Sequence, residues 1–588
     1  MHDYVIKGAS ILDGSGAHAF SGDVAVRDGL IVEVGGRINA RTRAIIDADG
    51  AILTPAWVDI HTHYDGQVTW DDTLDPSASH GVGTIVMGNC GVGFAPVRAN
   101  GYRELIDLME GVEDIPGTAL HEGMPWGAWE SYPQYLDFLA SREYALDVGS
   151  LVAHGAVRNY VMGERGRRNE AATEGDLEAM RGIVEDALRA GAVGFSTSRI
   201  LGHRSIQGEP VPGTYANDVE VMAIADAFRR AGSGVFQIIP ASTLGEGVAE
   251  AMEHTALEAE IDLIARVSAI SGRPATFTLF QVDAWSEKWR EAIDRVKAAN
   301  ASLGSRVFPQ VGSRPTGIVM SLRTYHPFMR RPSYLALKQL PLADRLSALR
   351  KPEIKAAILR EASVAHPHPG TMESGVSLLD VNFAQTFALD RFSTFEPTAN
   401  ESFAAQAARD GAENPWSWFY DYLTGGDGTR FAIMFFTNYS DYSLDPVREM
   451  QLSDATVTGL SDAGAHVTVI FDAVNPTYQL TYWTRDRRRG ATLPLPYVVH
   501  RATQRNADLF GFRDRGLIAP GKRADMNVID YTRLALGDIE LRQDLPAGGA
   551  RLMQGAEGYV ATLINGVQTR QFDRDTGARP GRLVRGRP

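Results

Sequence analysis

The stretch 173–195, TEGDLEAMRGIVEDALRAGAVGF, reads as one helix feeding directly into a strand. Thr173 and Asp176 stand three residues apart as an N-capping pair, in which each side chain can satisfy the other's backbone N–H. From Asp176 to Ala190 the residues Leu177, Met180, Val184, Ala187 and Leu188 fall on one face at helical spacing, and Gly191 supplies the left-handed stop. The apolar run Ala192, Val193, Gly194, Phe195 follows at once, with the composition of a buried strand. Similar helices are expected at about 219–230, 257–270 and 287–299, each leading toward another apolar run. Long amphipathic helices alternating with short apolar runs are the rhythm of parallel β/α architecture. The fold class predicted is α/β, a closed barrel of parallel strands.

The two ends of the chain have a different texture. Tyr4–Ile6, Val24–Val26 and Leu30–Val34 are short β-branched runs separated by Asp13-Gly14 and Asp28-Gly29 turns. The tail repeats this at 524–529 and 559–564, with Asn565-Gly566 as a hairpin turn. Neither end has enough strands to stand alone, and an open edge of unpaired backbone is unfavourable, so both ends are expected to pair into one small β-sandwich. The division predicted is 1–54 and 513–588 in the sandwich and 55–512 in the barrel. A segment at about 322–418 breaks the β/α rhythm with aromatics, prolines and extra helical pieces, and reads as an insertion over the barrel end that usually holds an active site.

Composition narrows the function. With 44% hydrophobic and 22% charged residues in 588, the chain has the material for a large core. A formal net charge of -14 argues against nucleic acid or anionic membrane surfaces as partners and favours a small-molecule substrate. Cys90 is the one cysteine, which excludes an intrachain disulfide and suits a reducing compartment. With no signal-peptide pattern and no long apolar run, a cytoplasmic protein is expected, and a homo-oligomer is compatible with the sequence.

Chemistry concentrates after the apolar run Ala56–Ile60, where His61, Thr62, His63, Tyr64 and Asp65 follow. Alternate strand residues face the same side, so His61 and His63 can converge on one ion, and paired imidazoles suit zinc. Taken alone, His-x-His is equally a chance pair at a strand end.

The surrounding motifs decide between these readings. Ile52–Pro55 and Val58–Ile60 precede His61-Thr62-His63, and GLIAPGKRAD occupies 516–525. This pattern resembles the amidohydrolase superfamily. GVGTIVMGNCGVGFAP at 81–96, His154–Arg158, DALRAGAVGFST at 186–197 and Leu460-Ser461-Asp462 are similar to its D-aminoacylase (N-acyl-D-amino-acid deacylase) branch. The resemblance implies a (β/α)8, TIM-like barrel with a small β-sandwich and a metal site at the strand ends, with His61 and His63 as ligands from the first strand. Asp462, at the end of the last, would ligate and shuttle protons. Cys90 matches the cysteine that in this branch binds zinc where other amidohydrolases use a carboxylated lysine; without the resemblance, a lone buried cysteine is a small hydrophobe. Two further histidines of the branch are missing, since Val235–Ile238 and Phe277–Phe280 place Gln237 and Leu279 there. One zinc ion per chain, or another divalent metal, is therefore expected on His61, His63, Asp462 and Cys90.

His154 matches a motif of the branch, as a catalytic candidate at the barrel mouth able to stabilise the oxyanion or as a satisfied buried histidine, and His466, the other catalytic candidate, four residues after Asp462, is placed to contact substrate or brace the carboxylate. His203 is a loop candidate, His500 a structural residue, and His366 and His368 part of a turn. Arg199 and Arg314 are weighed as partners for a substrate carboxylate against simple pairing with an acid. The resemblance implies hydrolysis of a non-peptide amide, an N-acyl (D-)amino acid or related N-acyl amine, by a metal-activated water, with Asp462 passing its proton to the leaving nitrogen. A cyclic amide or imide hydrolase and a non-catalytic scaffold on the same fold are the alternatives.

Overall fold

Helix Glu174–Ala190 starts where its capping pair places it. Asp176 N–H donates to Thr173 Oγ1 at 3.3 Å, Thr173 N–H donates to Asp176 Oδ2 at 2.8 Å, and Gly191 closes the helix at φ +110°. Its buried stripe is Met180, Val184, Ala187 and Leu188, and the chain turns from it into strand Gly194–Ser198. The next helices, Asp218–Ala231, Leu257–Ser271 and Lys288–Leu303, repeat the pattern, and their ends fall within four residues of the expected ones. The computed structural model describes residues 1–244, 257–470 and 472–587.

Eight parallel strands form one sheet in sequence order: β1 (Trp57–Asp59), β2 (Val82–Met87), β3 (Asp147–Ala153), β4 (Gly194–Ser198), β5 (Val235–Ile239), β6 (Ala275–Thr278), β7 (Val307–Val311) and β8 (Val457–Thr458). A parallel bridge between Thr62 and Ala463, just past β1 and β8, joins the last strand to the first, with His63 N–H donating to Ala463 O at 2.8 Å. The sheet is a TIM-like barrel. Strands such as β2 and β3 are buried along their whole length, as expected where helices cover the outside and side chains fill the inside.

Both chain ends enter one mixed sheet. Strand Ile52–Pro55 lies between His2–Ile11 and the C-terminal strand Met526–Ile529, with Leu53 opposite Val528, so no edge is left between the two halves. The 516–525 motif anchors this sheet to the barrel. Arg515 and Arg523, at its margins, both reach the buried Asp147 at the start of β3, at 2.7 and 2.8 Å.

Between β7 and β8 the chain leaves the barrel. Strands Thr316–Met320, Thr386–Leu389 and Phe431–Thr437 form a separate antiparallel sheet, and helices including Leu342–Leu349, Pro352–Arg360 and Pro415–Thr424 pack on it around Phe328, Phe403 and Phe419. The stretch expected as an insertion lies within this cap, whose sheet also uses residues on either side of it. Val319 N–H donates to Val469 O at 2.6 Å, tying the cap to the loop after β8. Among the described residues, no helix is long and apolar enough to cross a membrane.

Candidate metal centre

His61 and His63 extend from the C-terminal end of β1 and are both 1% exposed. Beside them, after β2, Gly88 turns the chain with φ +84°; a Cβ there would fall 2.4 Å from Leu151 O, so only glycine lets the loop approach β3 this closely. The turn delivers Cys90, itself at φ +59°. Its Sγ lies 3.4 Å from His61 Nε2 and 3.6 Å from His63 Nε2, and the three atoms are within 4.8 Å of one another. Asp462, just past β8 and at φ +47°, places Oδ1 3.3 Å from His61 Nε2 and 3.8 Å from His63 Nε2. Left-handed backbone at Cys90, Asp462 and also His466 (φ +47°) costs roughly 1–3 kcal/mol each, and such strain collects where side-chain position matters.

The donor set fits a metal. Ligands at zinc bond lengths in a tetrahedron stand about 3.3–3.6 Å apart, close to the separations seen here, and two imidazoles, a thiol and a carboxylate suit an ion of borderline softness. One outer nitrogen is hydrogen-bonded as such a site requires, and the other faces a carboxylate at ion-pair distance. His61 Nδ1 lies 2.8 Å from Gln310 Oε1, an acceptor that fixes the proton there and leaves Nε2 a lone pair; Gln310 is itself held by Thr276 at 3.0 Å. His63 Nδ1 faces Glu113 Oε1 at 3.2 Å, and the other oxygen of Glu113 lies 3.5 Å from His466 Nε2. Burial opposes charging Asp462, but the facing imidazoles of His61 and His63, with His466, hold its carboxyl below the usual carboxylate range. Burial pushes the Cys90 thiol up to about 12; bound metal is what would make it a thiolate.

The other expected residues separate. His466 and His203 line the cavity above the cluster, and His203 Nδ1 lies 2.9 Å from Ser198 Oγ. His154 does not line it. It begins helix His154–Met162, with Nδ1 2.8 Å from Thr197 Oγ1 and Nε2 2.8 Å from Glu220 Oε1. Of the two readings of His154, its contacts favour the satisfied buried histidine over the catalytic one: both ring nitrogens are taken up in a buried network with Arg158. Gln237 Oε1 accepts from Cys90 N–H at 3.2 Å, bracing the cysteine loop, and Leu279 is a buried apolar residue while its neighbours Thr278 and Phe280 face the cavity. Arg199 pairs with Glu260 at 2.9 Å and Arg314 with Asp472 at 2.5 Å, so each has the acid partner, and both pairs are buried. Glu113 was not legible in the sequence; Gln310 left a faint signal, as a polar residue inside an apolar strand.

A parallel barrel with two histidines, a cysteine and an aspartate converging at its C-terminal strand ends defines this protein as a barrel with a metal-competent mouth. The chain belongs to the Amidohydrolase family, which it matches over residues 44–570. It is 36% identical over 195 residues to N-acyl-D-aspartate deacylase of Alcaligenes xylosoxydans xylosoxydans, a stretch covering 33% of this chain and 36% of that protein. Over 195 residues it is 31% identical to D-aminoacylase of the same organism, covering 33% of this chain and 37% of the relative. The match thus spans about a third of these relatives' length. A solved D-aminoacylase superposes over 100% of both chains with a TM-score of 0.64 at 22% identity, a likeness of fold.

Proposed function

We propose that this protein is a metal-dependent hydrolase of a non-peptide amide, releasing the amine from an N-acyl amino acid or a related N-acyl amine. The observation that carries the reading is the convergence of His61 Nε2, His63 Nε2, Cys90 Sγ and Asp462 Oδ1 at the floor of a cavity of about 400 Å³. The similarity to deacylases of N-acyl-D-amino acids supports the bond type.

One divalent ion, zinc by the donor set, would sit on these four residues and supply Lewis acidity for the amide carbonyl and a lowered pKa for a water. The chain's own groups do the rest. Asp462, kept ionised at neutral pH, accepts the water proton and returns it to the amide nitrogen, which departs as a neutral amine instead of an unfavourable anion. Gln310 holds the His61 imidazole in orientation, and Glu113 faces the His63 ring from its outer side. His203 and His466, on the cavity wall, stand where a donor to the carbonyl oxygen would be useful.

Elemental analysis after extensive dialysis, together with amine release from N-acyl-D- and N-acyl-L-amino acids, tests the proposal. One tightly held ion per chain and metal-dependent release of amine are expected. A protein that binds no transition metal would overturn it, and two equivalents would show that Gln237 or other groups complete a second site.

A further inference from the structure

The cavity above the metal centre is lined mostly by hydrocarbon. The barrel contributes Ile239 at the end of β5 with Ile200 and Leu244 from the loops, and the cap closes over them with Ile318, Leu379 and Phe436. Beyond the four candidate ligands its polar side chains are hydroxyls of Thr243, Thr278 and Thr316 and the imidazoles of His203 and His466. No lysine or arginine lines it among the described residues, and residues 245–256 and 471, which lie outside them, contain neither. Of the three arginines within two residues of its walls, Arg199 and Arg314 are committed to buried carboxylates, Glu260 and Asp472, and Arg204, which does not line it, donates to Gly208 O at 2.7 Å. A wall of this kind desolvates a hydrocarbon chain favourably, whereas it would strip water from a substrate carboxylate without offering an ammonium or guanidinium in return.

Resting on the amide-hydrolase reading, we infer that the preferred substrates are amides of medium-length aliphatic acids whose amine half needs no carboxylate, the acyl chain filling the space between the barrel mouth and the cap. The reaction adds one water across the C–N bond: the acyl carbon gains the hydroxyl and leaves as a fatty carboxylate, and the nitrogen gains the hydrogen and leaves as the free amine. A volume of about 400 Å³ suits a ligand of this size, near the lower end of small-molecule pockets at about 300–1,000 Å³.

The test pairs two series on the metal-loaded protein, N-acyl-D-leucines and the corresponding N-acyl-3-methylbutylamines, which are the same amides without the carboxylate. Acyl chains run from acetyl to decanoyl. Both kcat/KM and calorimetric affinity, the latter also for metal-free protein, are expected to rise by about fourfold per methylene until the cavity is full. Removing the carboxylate is expected to change kcat/KM by less than tenfold. Ile318→Asp, on the cap wall, should flatten the chain-length dependence while leaving metal content intact. Best turnover of the acetyl compound, or a loss of a hundredfold or more without the carboxylate, would overturn the inference. Affinity that climbs with chain length while no amide is cleaved would sink the hydrolase reading yet keep the acyl site. Cleavage indifferent to length would do the reverse.

Discussion

Glu113 Oε1 faces His63 Nδ1 at 3.2 Å, on the side of the imidazole away from the donor cluster, and both side chains are 1% exposed. Burial raises the Glu113 carboxyl to about 7, while His63 pulls it down; for His63, burial opposes the charged ring, but Glu113 first and then Cys90 and Asp462 hold its pKa well above the ordinary value. With a metal on Nε2 the ring would be neutral, and this carboxylate is then the group that its Nδ1–H faces. Glu113→Gln is expected to weaken zinc affinity by about 10–100-fold, the usual effect of removing such a partner. Competition with a chelator of known affinity measures it, and unchanged affinity would reduce Glu113 to a buried acid.

Asp462→Asn should leave the circular dichroism spectrum unaltered and lower turnover by about 10²–10⁴-fold, because an amide neither takes nor returns a proton. A variant retaining more than about a tenth of the activity would move the proton shuttle to another wall residue, with His466 and His203 the nearest in the cavity.

Cys90→Ser tests the thiol as a ligand. A hydroxyl is a far poorer partner for zinc than a thiolate, so metal affinity and turnover should fall together while the metal-free melting temperature changes little. Lowered stability with unchanged affinity would identify a purely structural cysteine.

His154→Ala addresses a residue whose family motif suggests catalysis and whose contacts indicate support. Loss of the bonds to Thr197 and Glu220, with a cavity left behind, should destabilise the fold by about 2–4 kcal/mol. Metal stoichiometry and turnover below the melting temperature should stay near wild type. A selective loss of turnover at unchanged stability would return His154 to the mechanism.

His326, in the cap, is fully buried with neither ring nitrogen hydrogen-bonded, against Tyr334 at a ring separation of 4.6 Å. Burial, aided by Arg345 and Lys338, pushes its pKa from 6.5 down to about 3. Because the folded value is depressed, the unfolded chain binds the proton first, and the contribution present above pH 6.5 is lost as pH falls. Between pH 7 and pH 5 this one group withdraws about 2 kcal/mol. In His326→Phe the drop in melting temperature over that interval should be visibly smaller than in the wild type; equal drops would place the acid sensitivity elsewhere.

The helices were readable because their information is local. A capping pair, a stripe at three- and four-residue spacing and a terminal glycine all lie within one segment, as at 173–191, and the structure reproduces that helix to its caps. The pairing of the two chain ends was also accessible, since strands with unsatisfied edges had few other places to go. His61 and His63 share a face by strand periodicity, so their convergence needed no tertiary knowledge.

What the sequence determined alone was therefore the β/α rhythm, the closing sheet and the side chains fit to hold a metal. Only the tertiary structure decided which of the other polar residues serve them. Gln310 reaches His61 across 249 residues of chain, Glu113 arrives from the end of helix Tyr102–Glu113, and His154 is drawn away by Thr197 and Glu220. It also decided that the cap would close the mouth with hydrocarbon. The reason is physical: periodicity records which face of its own element a residue occupies, whereas a partner or a cavity wall is set by where separate elements meet, and that is written in no single segment.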